Sequence, residues 1–384
     1  MLSVLLLAGA CSRLDEQATA LSIYVRLPEQ ETTKADADDG ALDWASLLAK
    51  ETRINDLRIW VFANDVTGKE KGALLGYLEP KQLNMSNGKV QKFTVALDRD
   101  LASNIKTVDV YVLANSAAIV PPDEEESAVQ LDAQVKPAEL DALMLSGALF
   151  GLDAGGAPTN TTVVDNAGLP YSAVRKNVSL TKTGTDLSVA NLELVRAVSK
   201  VQFVFCQIML EDEQGNKETP VNFEIKSLEL NGGQIPQEEY LFNDSGNAWK
   251  IVDNKYVASA LKVSGLPAKK DVAGSTGPGA YAHNGTETFL EYQNRINRAL
   301  QAGAVTGMAP CYLRESDKTL SGTITYAVDG ETREPVKFSM VDGERFARNS
   351  SWIVYFYFNN NTMSLSVAYS SWDAGDGPYT IIGY

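Results

Sequence analysis

The feature that most constrains this chain is a succession of short apolar/polar alternations, separated by turn-forming residues, with few stretches at helical spacing. Ala20 to Leu27 alternates in the manner of a half-buried strand, and Leu57 to Phe62, Phe93 to Leu97 and Val108 to Asn115 follow as further strands. Val174 to Leu180, Leu187 to Val204, Val221 to Leu230, Gly322 to Val328 and Val336 to Met340 continue the pattern. Two strong strands, Ile353 to Phe358 and Ser364 to Tyr369, come near the end, before a last short one at Tyr379 to Tyr384. Helical spacing is confined to Pro137 to Met144, with proline at a favoured first-turn position, and to Glu287 to Ala302, which Gly303 terminates. Many short strands and a minority of helix predict a mainly all-β chain built of β-sandwiches. The run from Leu192 to Val204 is long enough for two strands with a crossover, and a domain boundary is expected there, near residue 195.

The 384 residues are 44% hydrophobic, too apolar for a disordered chain. Their formal net charge of −15 disfavours nucleic acid and anionic membrane surfaces as partners. A single histidine, His283, removes multi-histidine metal sites and most histidine relays; in its Gly/Asn-rich surroundings it is expected to be exposed. Pro28 to Lys50 is acidic and lacks the apolar content to pack, and reads as an exposed, protease-accessible loop; Pro121 to Leu145 is also acidic, with the helical segment Pro137 to Met144 inside it.

The amino-terminal end carries the clearest address. Leu2 to Ala10 is an apolar run that closes with small residues before Cys11. It is too short to span a bilayer, which takes roughly 20 apolar residues, and it reads as the end of a signal peptide. Small residues immediately before a cysteine are what bacterial lipoprotein cleavage requires, so residues 1–11 are expected to be a lipoprotein signal with Cys11 as the lipidated residue. No Lys or Arg precedes the apolar run, which puts the expected start upstream of Met1. Cys206 and Cys311 then remain, and their spacing leaves open whether they pair.

Catalytic patterns are missing. Gly151 to Gly156 lacks the lysine and the strand–helix frame of a phosphate loop, and neither Gly-x-Ser-x-Gly nor His-Glu-x-x-His occurs. Acidic clusters such as Asp36/Asp38/Asp39 and Glu124/Glu125/Glu126 lie in loops, where solvated carboxylates outnumber catalytic pairs. Asp373 to Gly377 has the start of a calcium loop without its remaining ligands. No enzyme activity, cofactor or metal is expected.

Six segments, in order, carry a resemblance. They are Ala18 to Val25 soon after the cysteine, Ile54 to Phe62, and Val110 to Asn115 ending in Ala-Asn. Then come Leu194 to Val201 with its Arg, Ala and Lys, Arg348-Asn349 ahead of an aromatic strand, and a final strand ending in Trp372. Together they resemble the fimbrillins, the type V pilin superfamily of Bacteroidales, from Cys11 to about Trp372.

The resemblance implies two transthyretin-like sandwich domains, residues 54–195 and 196–384, behind a removable first strand and acidic linker, residues 12–53. It also implies an outer-membrane lipoprotein precursor, cut by a trypsin-like protease in that linker and then polymerising head to tail by donor-strand exchange. Arg53 is the expected scissile residue, with Lys34 and Lys50 as fallback sites. The expected donor residues are Leu365, Val367 and Tyr369, or Tyr379 and Ile381. The partners would be other fimbrial subunits at the cell surface. The rival expectation is a lipid-anchored surface protein that never polymerises, such as a fimbrial anchor or a glycan-binding lipoprotein.

Overall fold

The computed structural model describes residues 20–26, 51–64, 71–81, 83, 90–98, 105–116, 119, 131–145, 168–179, 181–183, 186–188, 192–209, 214–215, 221–243, 256–263, 266–267, 274–276, 281–308, 310–340, 346–359, 362–371 and 380–383. Cys11, Lys34, Lys50, Trp372, Tyr379, the acidic runs at 36–39 and 124–126 and the Asp373 to Gly377 fragment lie outside them.

The chain is mostly strand, as its alternation predicts. The first part holds β1 (Ala20–Arg26), β2 (Leu57–Ala63), β3 (Leu74–Leu78), β4 (Val90–Ala96), β5 (Thr107–Ala114), helix α1 (Pro137–Ala142) and β6 (Met144–Leu145). β7 (Tyr171–Ser179), β8 (Thr181–Thr183), β9 (Asp186–Ser188), β10 (Leu192–Glu193) and β11 (Val195–Arg196) follow. The later part opens with the long β12 (Ser199–Met209), then β13 (Phe223–Leu230), β14 (Glu239–Tyr240), β15 (Leu261–Lys262) and β16 (Gly274–Thr276). Helix α2 (Phe289–Gln301) precedes β17 (Thr306–Gly307), β18 (Cys311–Leu313), β19 (Ser321–Val328), β20 (Glu331–Thr332) and β21 (Val336–Ser339). The chain closes with β22 (Ser350–Asn359), β23 (Thr362–Ser371) and β24 (Thr380–Gly383).

Two sheets face each other across the first core. One joins β1 to β4 on one side and to β9 and β10 on the other; its opposite runs β11-β7-β5-β2-β3. Leu21, Ile23, Val25, Phe93 and Val95 from the first sheet meet Leu57, Ile59, Val110 and Val112 of the second in one buried cluster. Two more sheets make a second sandwich. β16-β12-β22-β23-β24 lies over β15-β13-β19 with β20 and β21, and their shared core includes Phe203, Phe205, Trp352, Phe356, Phe223 and Tyr326.

β12 is buried over nearly its whole length because both its faces are covered. One face meets the second core. The other carries Val204 and Cys206 against α2, together with Ile353, Tyr355 and Ala368. A parallel strand pair, here β12 with β22, is expected to be apolar on both sides for this reason. Helix α2 presents Phe289, Tyr292, Ile296 and Ala299 to that sheet at helical spacing. Its start is a capping box: Thr288 Oγ1 accepts the Glu291 amide at 3.2 Å while the Glu291 carboxylate accepts the Thr288 amide at 2.8 Å. Gly303, at φ +64°, then ends it in a conformation that suits glycine.

Three residues depart from expectation or settle an open point. His283 is buried rather than exposed: the Gly285 amide donates to Nδ1 at 2.8 Å, the ring packs edge-on against Tyr292, and burial pulls its pKa down. Cys206 and Cys311 are both free thiols. They sit on opposite faces of one sheet, Cys206 under α2 and Cys311 in the second core, and burial raises both pKa values, to about 11 and about 12.

Candidate site at the first strand and its linker

β1 occupies the middle of its sheet although it is the most distant strand in sequence from its neighbours. It pairs with β4 antiparallel from Ala20↔Ala96 to Arg26↔Val90. On its other edge Leu21 and Ser22 match β9, and Val25 and Arg26 match β10, both parallel. The alternation of the sequence is realised: Leu21, Ile23 and Val25 are fully buried in the core. β4 has no other strand partner among the described residues, so β1 alone connects it to β9 and β10.

The chain re-enters the described fold at Glu51, whose environment no short-range pattern announces. Its carboxylate is fully buried, 3.0 Å from Lys200 Nζ at the start of β12 and 2.6 Å from the Tyr312 hydroxyl on β18. Its backbone carbonyl accepts the Tyr171 hydroxyl at 2.5 Å. Burial and the Glu51 charge together hold the Tyr312 hydroxyl protonated, well above the ordinary tyrosine range. Two residues on, the Arg53 side chain is exposed, but its carbonyl accepts a bond from Asn115 Nδ2 at 2.9 Å.

Asn115 follows β5 in the left-handed region, φ 59°, a conformation asparagine tolerates better than most residues. Its amide also donates to Leu169 O at 2.6 Å, and its Oδ1 accepts the Asn55 amide at 2.7 Å. Gly168 must lie against it: at φ +75°, a Cβ there would stand 2.6 Å from Asn115 Nδ2.

The sequence segments that surround the expected boundary come together in space. Arg196 Nη1 donates to Asn349 Oδ1 at 3.2 Å, and the Asn349 amide donates to Val198 O at 2.9 Å. Arg348 reaches the short sheet in which β14 pairs with β6, donating to Leu241 O at 2.8 Å and to Tyr240 O. It also contacts the carboxylates of Glu239 and Glu315, both at 2.6 Å. Burial pushes the Glu239 carboxyl up to about 8, against the pull of the Arg348 charge. A second buried guanidinium, that of Arg314, is lowered to about 10 by the same desolvation.

The two candidate carboxy-terminal strands differ in position. Leu365 and Val367 of β23 are buried in the second core, and Tyr369 stacks on Trp352 with ring centroids 4.1 Å apart. β23 is enclosed between β22 and β24. β24 is the edge: Thr380 to Gly383 pair with Tyr369 to Ser366, Ile381 lying opposite Ala368. An open groove of about 460 Å³ runs between β21 and β23, lined by Val336, Phe338, Met363 and Leu365.

A two-sandwich, mostly-β chain with a central first strand and an edge last strand can be compared with known proteins. No family profile and no curated protein matches the sequence. Solved structures that align with the chain include a candidate cell adhesion protein from Parabacteroides distasonis, at 13% identity and TM-score 0.48, covering 96% of each chain. The tip fimbrial protein Mfa3 from Porphyromonas gingivalis aligns at 12% identity and TM-score 0.45 over 95% of this chain and 99% of its own. A fimbrial assembly protein from Parabacteroides distasonis aligns at 10% identity and TM-score 0.43, covering 95% and 99%.

Proposed function

We propose that this chain is a structural subunit of a cell-surface fimbria, exported as an outer-membrane lipoprotein through Cys11 and polymerised by donor-strand exchange. The observation that carries the reading is the placement of β1. It is a central strand with three fully buried side chains, followed in sequence by the segment between residue 26 and Glu51. A cut in that segment by a trypsin-like protease frees β1, and its departure leaves the backbone of β4 and the row beside β9 and β10 open. Proteins avoid such an edge unless something fills it. A strand from the next subunit supplies both backbone bonds and apolar side chains. Because donor and acceptor lie at different places on one chain, the contact does not close on itself and yields a fibre.

The donor under this reading is the carboxy-terminal tail, with Tyr379 and Ile381 as its alternating residues. Among the described residues β24 is held on one side only, whereas Leu365, Val367 and Tyr369 of β23 complete their own sandwich. The units 54–195 and 196–384 act as two sandwiches in series, and the role is structural rather than catalytic.

A lipid-anchored glycan-binding protein would want a platform of exposed aromatics. Among the described residues the large apolar side chain left exposed is Val90, and the aromatic of the β21–β23 groove, Phe338, is buried.

The reading is tested by expressing the full chain with its signal in a bacterium that processes lipoproteins and following it to the surface. Cut chains running as an SDS-resistant ladder, with the uncut chain monomeric, are expected. Cys11→Ala should lose membrane partitioning, since two or more acyl chains give stable anchoring where one is marginal. A chain that stays uncut and monomeric at the surface would favour the anchored, non-polymerising protein.

A further inference from the structure

The stretch from Glu51 to Asp56 enters the body of the protein before β2 begins and is held there by bonds at Glu51, Arg53, Asn55 and Asp56. The Glu51 carboxylate meets Lys200 and Tyr312, and its carbonyl meets Tyr171. Arg53 O and the Asn55 amide are both taken by the Asn115 side chain, which is itself fully buried. Asp56 closes the series, its Oδ1 accepting the Ser116 amide at 3.0 Å and its carbonyl the Asn115 amide at 3.1 Å.

We infer that the Arg53–Ile54 bond is shielded in the folded chain, and that processing cuts before Glu51, leaving that residue in the mature protein as the tie between its first residues and β12. The inference deepens the proposed processing and rests on it for its role in the cell. A serine- or cysteine-type protease must place the scissile carbonyl in its oxyanion hole and hold the flanking backbone extended. The carbonyl it would need at Arg53 is already bonded to Asn115, Ile54 packs against the first core, and Asn55 and Glu51 are held by bonds of their own. Exposure of the Arg53 side chain is therefore not access to its peptide bond.

The mature chain would also suffer from a cut at Arg53. Such a cut removes the carboxylate that Lys200 and Tyr312 both contact inside the protein. Stripping one member from a buried ion pair leaves an uncompensated charge, which costs far more than the pair contributes. A cut before Glu51 keeps the pair and still frees β1. The expected scissile position moves upstream of Arg53 accordingly.

Brief trypsin treatment of the purified, folded full chain, followed by amino-terminal sequencing of the large fragment, reads the shielding directly. The early fragment is expected to begin no later than Glu51. In Asn115→Asp, which keeps the acceptor for Asn55 but loses the donor to Arg53, cleavage at Ile54 should appear at a rate on the order of tenfold higher. Glu51→Gln, checked by its melting transition, should open the same bond. An early wild-type fragment beginning at Ile54 overturns the inference, as does an unchanged Ile54 cleavage rate in folded forms of both variants. Failure of the processing reading looks different: cells would leave the chain uncut while trypsin still spares Arg53–Ile54.

Discussion

The first and last strands of the chain are both short, yet their positions are opposite: β1 pairs with strands far along the sequence, β24 with the strand just before it. β1 has a neighbour on each side and three side chains without solvent exposure; among the described residues β24 pairs only with β23 and forms an edge. What distinguishes them is the number of ladders each completes, and hence what its removal leaves behind. A strand lost from a sheet centre opens two rows of backbone groups, whereas one lost from an edge only moves the edge inward. Under the proposed function, the first would leave a vacancy for a strand and the second would be the strand donated.

The largest expected effect breaks the comparison from the β1 side. Burial of Leu21, Ile23 and Val25 contributes roughly 1.5–3 kcal/mol each, together comparable with the whole net stability of a typical domain, about 5–15 kcal/mol. A chain expressed from Glu51 onward should, as a monomer, lose the part of its urea transition that belongs to the first sandwich and keep that of the second. A normal transition would mean that β1 is dispensable.

Next comes the tie at the linker's end. Glu51→Ala should lose about 3–5 kcal/mol in urea denaturation, as for a buried pair missing one partner. The double replacement Glu51→Leu with Lys200→Met should recover most of that loss. Equal stability of the two variants would show that the pair is not a coupled unit.

Glu239 gives a smaller, pH-dependent effect. Burial lifts its carboxyl from 4.5 to about 8 in the folded chain, so the folded form binds the proton more tightly than the unfolded one. The sign follows: this contribution is full below about pH 4.5 and is lost as pH rises toward about 8. Melting curves across that range should fall with pH, and Glu239→Gln should flatten the slope. An unchanged slope would assign it to other groups.

The smallest effect is at the other end. Deleting Tyr379 to Tyr384 should change stability by no more than about 1 kcal/mol, as for other peripheral changes, while abolishing polymer formation after the cut. A loss of several kcal/mol would make β24 an integral strand, and normal polymers would dispose of it as donor.

The sequence made most of the strands legible, and for a physical reason: Leu21/Ile23/Val25 and Leu365/Val367 mark a face that has to be buried. β3 escaped because Leu74 to Leu78 includes Gly76 and no clean alternation; Gly76 is there because a Cβ would stand 2.6 Å from Ala96 O. His283 was misread because its Gly/Asn surroundings indicate a loop, while its burial depends on Tyr292 one turn into α2. The Ala114-Asn115 and Arg348-Asn349 motifs were visible as motifs, but their work as bridges to Arg53 and to Arg196 was not. The Glu51–Lys200 pair had no local signal at all, being formed across 149 residues. Pairings of that range are decided by how sheets pack, which no window of sequence contains.

The central claim is that β1 holds a place in its sheet that another subunit's strand later takes. Amide hydrogen exchange along Val90–Ala96 measures that place directly, because β1 is the strand partner of β4 among the described residues. The full chain should protect alternate amides of β4; the freshly cut monomer should lose that protection, and the polymer should regain it. Protection that persists in the cut monomer, or that fails to return in the polymer, would contradict the account.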